Sequence, residues 1–351
     1  MWELTLNIHK LLTIRIHSAS IKEPTRDLKY SNFISNENLN EPDIILNIGS
    51  FAPSTEGTVT IAHRYFIKEN YFYCNDIGEK SHWEIEIFGL EKDKTIINFN
   101  GKHPGLKGFL FPSFLAQEFL IPLIEYKLIQ KNCYLIHGGG VVNNEEGHIF
   151  IGRPGVWKTS IILDLIRTGN YQYLGDDRII ITGNGEILSF PTSLFLFDFC
   201  LINNIDEKRR LRDEIKLLFH ILMRKKVSFS PLRDCKKIKT ITFVSRKNNN
   251  EIKLDCLDLQ VALQKILTNN MAEYEESKKR SPNGQFMTYV QIYSLIFPNN
   301  NLKNHYSILD TELKKSLINV PIFEISGPRN YEREKLLAIV RQGIHKKSLD
   351  E

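Results

Sequence analysis

The sequence predicts a mixed α/β protein in two parts: a β-rich N-terminal domain over residues 1–130 ending in a connecting helix, then an α/β core with a mixed sheet over 131–351. Three observations predict it. The first hundred residues hold short β-branched and aromatic runs broken by Asn, Gly, Pro and Asp. A strand, a glycine- and proline-containing loop and a helix follow one another across 148–167. Strands and helices then alternate to the C-terminus. A chain of 351 residues is long enough for about two domains at roughly 150 residues each.

In the first part, residues 43–48, 58–61, 71–74, 82–88 and 95–99 read as strands, and 30–40, rich in Ser and Asn, reads as a loop. Over 111–130 the period changes: Phe114, Leu115, Phe119, Leu120, Leu123, Ile124, Tyr126, Leu128 and Ile129 form a broad apolar face, which predicts the connecting helix. In the second part, 134–136 reads as a buried strand running into Gly138, Gly139 and Gly140, followed by a turn at 143–147 and a strand at 148–151. A helix over 158–167 stops at Gly169. Strands at 171–174 and 178–182 flank Gly175, Asp176 and Asp177, and another covers 186–190. Helix is expected at 207–223, strand at 239–245, helices at 258–268, 286–296 and 311–317, strand at 321–325 and a closing helix at 331–345.

Hydrophobic residues make up 42% and charged residues 25%, which excludes wholesale disorder, collagen and coiled coil. No apolar run reaches the ~20 residues a membrane span needs. The best stretch, 108–128, contains Pro112, Gln117, Glu118, Pro122, Glu125 and Lys127. The N-terminus has neither a basic region nor a small-residue cleavage site. Five scattered cysteines without a CxxC argue against a disulfide framework or a zinc site. A cytoplasmic protein is expected. The net charge of +5 is concentrated: residues 207–239 hold 12 basic and 4 acidic side chains, a run that serves either a polyanionic partner or a solvated helix face. Only Phe219 and Phe229 interrupt it as aromatics and no nucleic-acid motif accompanies it, so nucleic acid is not the expected partner.

The chemistry is concentrated at Gly152, Arg153, Pro154, Gly155, Val156, Trp157, Lys158, Thr159 and Ser160. A strand before and a helix after is the context of the phosphate-binding loop G-x-x-x-x-G-K-[ST], with Trp157 where the second glycine is expected. Such a loop works because backbone N–H groups at a helix N-terminus converge on phosphates, a lysine adds a mobile charge and a hydroxyl ligates Mg²⁺. The site forms only if the Trp157 indole points away from the phosphates. Asp176 and Asp177, 18 and 19 residues after Lys158, sit at the end of the next expected strand. A parallel strand beside the loop strand would bring both carboxylates to the γ-phosphate. His137 ends a buried strand, where it serves either as a packed residue or as a proton relay shared with Asp176.

The order Leu135-Ile-His137-Gly138, Gly152 to Ser160, Leu174-Gly-Asp-Asp-Arg178 and Phe190-Pro191 resembles the HPr kinase/phosphorylase superfamily, whose core is shared with phosphoenolpyruvate carboxykinase. It is most similar to HPr-kinase-related proteins with divergent N-terminal domains, among them serine kinases of lasso-peptide maturation. The similarity is strong over 133–194 and weak to about 345. The resemblance implies ATP and Mg²⁺ as cofactors, Lys158 on the β- and γ-phosphates, Thr159 on the metal, Asp176 as the base for the acceptor hydroxyl, Asp177 assisting the metal and His137 tuning Asp176. It also implies that 207–239 is a substrate-facing lid. Trp157 departs from the family pattern, and the second signature that HPr kinases use for the phosphorylase reaction has no clear equivalent.

The expected function is transfer of the γ-phosphoryl group to a hydroxyl, Ser or Thr of a peptide or protein before a small molecule, with HPr itself a poor acceptor. The alternative is a nucleotide-sensing pseudokinase, favoured by the indole in the loop. The family forms hexamers, but no interface residue carries that property over, so a homo-oligomer stays open.

Overall fold

The computed structural model describes residues 2–19, 30–37, 41–77, 82–102, 114–192, 194–203, 213, 216, 217, 219, 236–247, 251–277, 282–302, 305–328 and 332–345. It is a mixed α/β protein with two mixed sheets, divided into two compact units. Unit 1 comprises residues 1–131 and 274–306, and unit 2 comprises 132–273 and 307–351.

Unit 1 is built on a nine-stranded sheet of β1 (Trp2–Ile8), β2 (Leu12–Ser18), β3 (Ile34–Ser35), β4 (Ile44–Ile48), β5 (Val59–Ile61), β6 (Tyr65–Lys68), β7 (Tyr71–Ile77), β8 (His82–Phe88) and β9 (Thr95–Lys102). The strand order is β3-β1-β2-β4-β9-β8-β7-β6-β5, with β4 parallel to β2 and β9 and the remaining pairs antiparallel. Strict alternation sends Leu12, Ile14 and Ile16 of β2 to one face and Thr13, Arg15 and His17 to the other. Helix α1 (Phe114–Gln130) packs Phe119 against Trp83 and Phe99, as its broad apolar face predicts.

Unit 2 holds a second mixed sheet: β10 (Cys133–Asn143), β11 (Glu146–Ile151), β12 (Gln172–Gly175), β13 (Arg178–Thr182), β14 (Glu186–Ser189), β15 (Lys236–Arg246), β16 (Lys253–Cys256) and β17 (Ile322–Gly327). Strands β11, β15 and β17 run parallel, and β10 is antiparallel to β11, β12 and β13. Lys237 pairs with Glu146 of β11 and also with Glu186 of β14, so the pairing closes into a ring at that end of the sheet. Helix α2 (Lys158–Arg167) follows β11, and α3 (Leu194–Ile202), α4 (Leu259–Ser277), α5 (Pro282–Ile296), α6 (His305–Leu317) and α7 (Arg333–His345) complete the described helices.

Four expectations need correction. Residues 131–351 are not one domain: α5 belongs to unit 1, because its aromatic side chains, Tyr289 against Phe72 among them, join that unit's core. Gly138 to Gly140 do not interrupt the chain; β10 runs through them as one strand, since ladder hydrogen bonds need no side chain. The strand before the aspartates is not beside the loop strand either, for β10 lies between them. Strands β1, β2, β3, β6 and β16 and helix α3 were not anticipated, β3 falling within the stretch 30–40 read as a loop. Most of the basic run 207–239, with its lid reading, lies outside the described residues. Residues 213, 216, 217 and 219 are helical and 236–239 belong to β15.

Candidate active site

The site lies in unit 2 at the C-terminal end of β11, the sheet edge where parallel strands present ligand-binding loops. Gly152 is required where β11 ends, because a Cβ there would meet the Val244 carbonyl oxygen at 2.4 Å. Gly155 has φ +79° and open space around it, so the backbone at 155 can be approached closely. Val156 is half-buried, and Lys158 to Ser160 form the first turn of α2, whose unpaired N–H groups and positive dipole end face the loop.

Trp157 adopts φ +76°, ψ 1°, the left-handed conformation that a glycine would supply at no cost. For a tryptophan this strain costs about 1–3 kcal/mol. The indole offsets it: only 1% exposed, it lies in the apolar cluster of Ile161, Val244, Ile325, Leu336, Val340 and Ile344. Burying an aromatic of that size contributes about 4–6 kcal/mol, which exceeds the strain. Gly327 makes the room, since a Cβ there would stand 3.2 Å from the edge of the indole. The side chain is therefore seated in the core, and the loop keeps the backbone geometry of its missing glycine.

The chemistry-bearing side chains converge on Lys158. Its Nζ donates to Nε2 of His137 at 3.1 Å. Burial, and then the neighbouring ammonium, hold the His137 imidazole down to about 3, so it is neutral and can accept that bond. The proton then sits on Nδ1, which faces an Asp177 carboxylate oxygen at 3.5 Å. Lys158 is itself pushed below the usual lysine range by burial, while Asp177, Asp176 and Glu273 pull the other way. Asp177 receives Arg178 at 2.5 Å, and Arg178 and His137 each stand 3.8 Å from a Glu273 oxygen.

Asp176 is 8% exposed and accepts the Tyr173 hydroxyl at 2.7 Å. Burial raises its carboxyl to about 6, against the Tyr173 hydrogen bond and with help from the Asp177 charge. Tyr173 is itself packed against Phe197 in a tilted ring pair, with centroids 4.2 Å apart. Gly139 allows the carboxylates to come this close, because a Cβ there would stand 2.9 Å from the Asp176 Cα. The Gly138 amide donates to the Asp177 carbonyl at 3.0 Å.

The expected group of His137, Lys158, Asp176 and Asp177 is thus gathered around the loop, with one correction: His137 addresses Lys158 and Asp177, and the partner of Asp176 is Tyr173. Sequence reasoning missed Tyr173, Arg178 as an ion-pair partner, and the α4 residues Asn269, Asn270 and Glu273. The two asparagines act as a substitute strand for the open edge of β10. Asn270 accepts from the His137 amide at 2.9 Å and donates to the Leu135 carbonyl at 3.0 Å, while Asn269 donates to the His137 carbonyl at 2.8 Å. Adjacent asparagines inside a helical pattern, where their propensity is poor, were the one available signal.

Among the described residues no group of three or more His, Cys, Asp and Glu side chains is arranged to hold a metal ion, and no helix is long and apolar enough to cross a membrane. Arg153, Pro154 and Gly155 are partly or fully exposed on the loop, and Thr159 is half-buried in the first turn of α2. No protein-family model and no curated protein matches the chain.

Proposed function

We propose that this chain is an ATP- and Mg²⁺-dependent phosphotransferase of the HPr-kinase-like type, moving the γ-phosphoryl group to a hydroxyl of a peptide or protein Ser or Thr. The observation that carries the reading is the convergence of a buried lysine and two carboxylates on a glycine loop that opens a helix. Phosphoryl transfer asks a protein for positioning, charge neutralisation and a base, and those are the roles on offer. The α2 N-terminus and Lys158 bind the phosphate chain. His137 orients the lysine amine by accepting one of its protons. Asp176, with one oxygen held by Tyr173, takes the proton from the attacking hydroxyl as the new P–O bond forms, and ADP leaves.

The oxygen donors present suit Mg²⁺, which takes one or two protein oxygens beside phosphate and water rather than a protein cage. Thr159 and Asp177 would hold it, and it would neutralise charge on the transferring phosphates.

The nucleotide-sensing alternative drew its support from an indole crowding the phosphates, and the burial of Trp157 in the apolar cluster weighs against that premise. Isothermal titration with ATP and a phosphate-release assay test the reading. Lys158→Ala is expected to weaken ATP binding at least about tenfold. Asp176→Asn is expected to keep binding while turnover falls about 10²–10⁴-fold. Full turnover in Asp176→Asn would remove the base assignment, and tight ATP binding without turnover in any acceptor screen would favour the sensing module. A wild-type chain that binds no ATP would end the proposal.

A further inference from the structure

Trp157 is the residue of the loop that local rules do not explain. Core apolar volume can be supplied from many positions, yet here it comes from a left-handed one where glycine would be free of strain. What the indole does besides filling the core is visible at its edge. The Arg246 guanidinium lies over the ring, 5.2 Å from its centroid. Arg246 is the last residue of β15, the strand that lies against β11, and pairs with Gly327, the glycine that makes room for the same indole. It is exposed, and among the described residues no carboxylate pairs with it. An exposed arginine without an anionic partner gains little from folding, but one seated on an aromatic face is held in orientation with its other face toward solvent.

The topology says which part of a ligand would meet it. Strand β11 has β10 on one side and β15 on the other. His137 belongs to β10 and Asp176 follows β12, which also pairs with β10, so the reacting end of a nucleotide belongs on that flank. Arg246 stands on the opposite flank, beyond the loop. We infer that Arg246, seated on Trp157, is a nucleobase platform: the base of the bound nucleotide stacks on the guanidinium face turned away from the indole. Trp157 is its positioning residue. The inference rests on the phosphate-loop reading above and adds to it a binding subsite for the nucleoside end.

Equilibrium binding of ATP and of inorganic tripolyphosphate to the full chain tests it, with Arg246→Ala and Arg246→Lys as variants. Arg246 is exposed, so both variants are expected to fold, and thermal unfolding checks that they do. Arg246→Ala should weaken ATP binding about tenfold and leave tripolyphosphate unchanged, the range of a desolvated cation–π contact. Arg246→Lys keeps the charge but not the plane and should lose nearly as much. Equal loss of tripolyphosphate binding would make Arg246 a phosphate contact and overturn the platform. Unchanged ATP binding in Arg246→Ala, or full binding in Arg246→Lys, would overturn it while leaving the phosphate loop standing. A wild-type chain that binds neither probe would overturn the loop reading itself, and the platform with it.

Discussion

Each unit of this protein buries carboxylates, and Glu86 of unit 1 and Asp176 of unit 2 are treated in opposite ways. Glu86 of unit 1, 1% exposed, accepts the Ser54 amide at 2.7 Å, the Tyr71 hydroxyl at 2.9 Å and the Asn98 amide at 2.8 Å, so both of its oxygens are engaged. Its neighbour Glu84 repeats the pattern with Tyr73 and Asn100. The tyrosines register it: burial and these carboxylates raise Tyr73 to about 12 and Tyr71 further. Asp176 of unit 2 has the Tyr173 hydroxyl and its own amide, and it faces a second carboxylate at Asp177. A buried charge with its hydrogen bonds complete is part of the framework, whereas one left short is raised in energy and poised to take a proton.

That contrast can be broken by experiment. The largest expected difference is in turnover: the 10²–10⁴-fold loss in Asp176→Asn should have no counterpart in Glu86→Gln, whose hydrogen bonds go to Ser54, Tyr71 and Asn98 of its own unit. A comparable loss in Glu86→Gln would erase the distinction.

Stability should change in opposite directions. The Asp176 carboxyl is raised to about 6 in the folded chain from its ordinary 3.8. Between pH about 4 and 6 the folded state therefore keeps a proton that the unfolded state has lost, and stability falls as pH rises through that window. Removing the charge in Asp176→Asn should accordingly stabilise the protein by about 3 kcal/mol at pH 7.5, with little difference at pH 3.5. Glu86→Gln turns one acceptor into a donor facing donors and should destabilise by about 1–3 kcal/mol. Denaturant titrations at the two pH values check both signs. His137 works the other way. Its value falls from 6.5 to about 3, so its burial contributes a rise in stability between pH about 3 and 6.5. His137→Gln should flatten that limb of the pH profile.

The smallest effect is expected at Asn270, whose side chain completes the edge of β10. Asn270→Ala should cost about 1–2 kcal/mol and speed hydrogen exchange at the His137 amide. Unchanged exchange there would mean that β10 needs no such support.

Local chemistry was legible. Helix α2 runs over the expected Lys158–Arg167, because the loop before it and Gly169 after it are signals read within a few residues. Strand β8 matches its expected bounds through the alternation of Trp83, Ile85 and Ile87 with polar residues, and β13 through its unbroken isoleucine run. The hairpin of β1 and β2 was missed although it alternates cleanly. Its turn uses His9 and Lys10 at positive φ in place of the usual glycine or asparagine. Helix α3 was missed because its apolar run, Leu194 to Phe197, carries no helical period.

By itself the sequence specified the glycine loop, its helix and the adjacent pair of aspartates, since each depends on neighbours a few positions away. Tertiary structure alone decided that the Trp157 indole turns into the core, that Tyr173 rather than His137 attends Asp176, and that Asn269, Asn270 and Glu273 arrive from more than a hundred residues downstream of His137. Those outcomes are set by which surfaces are left to bury and which polar groups are left to pair. Both are known only once distant strands and helices have packed.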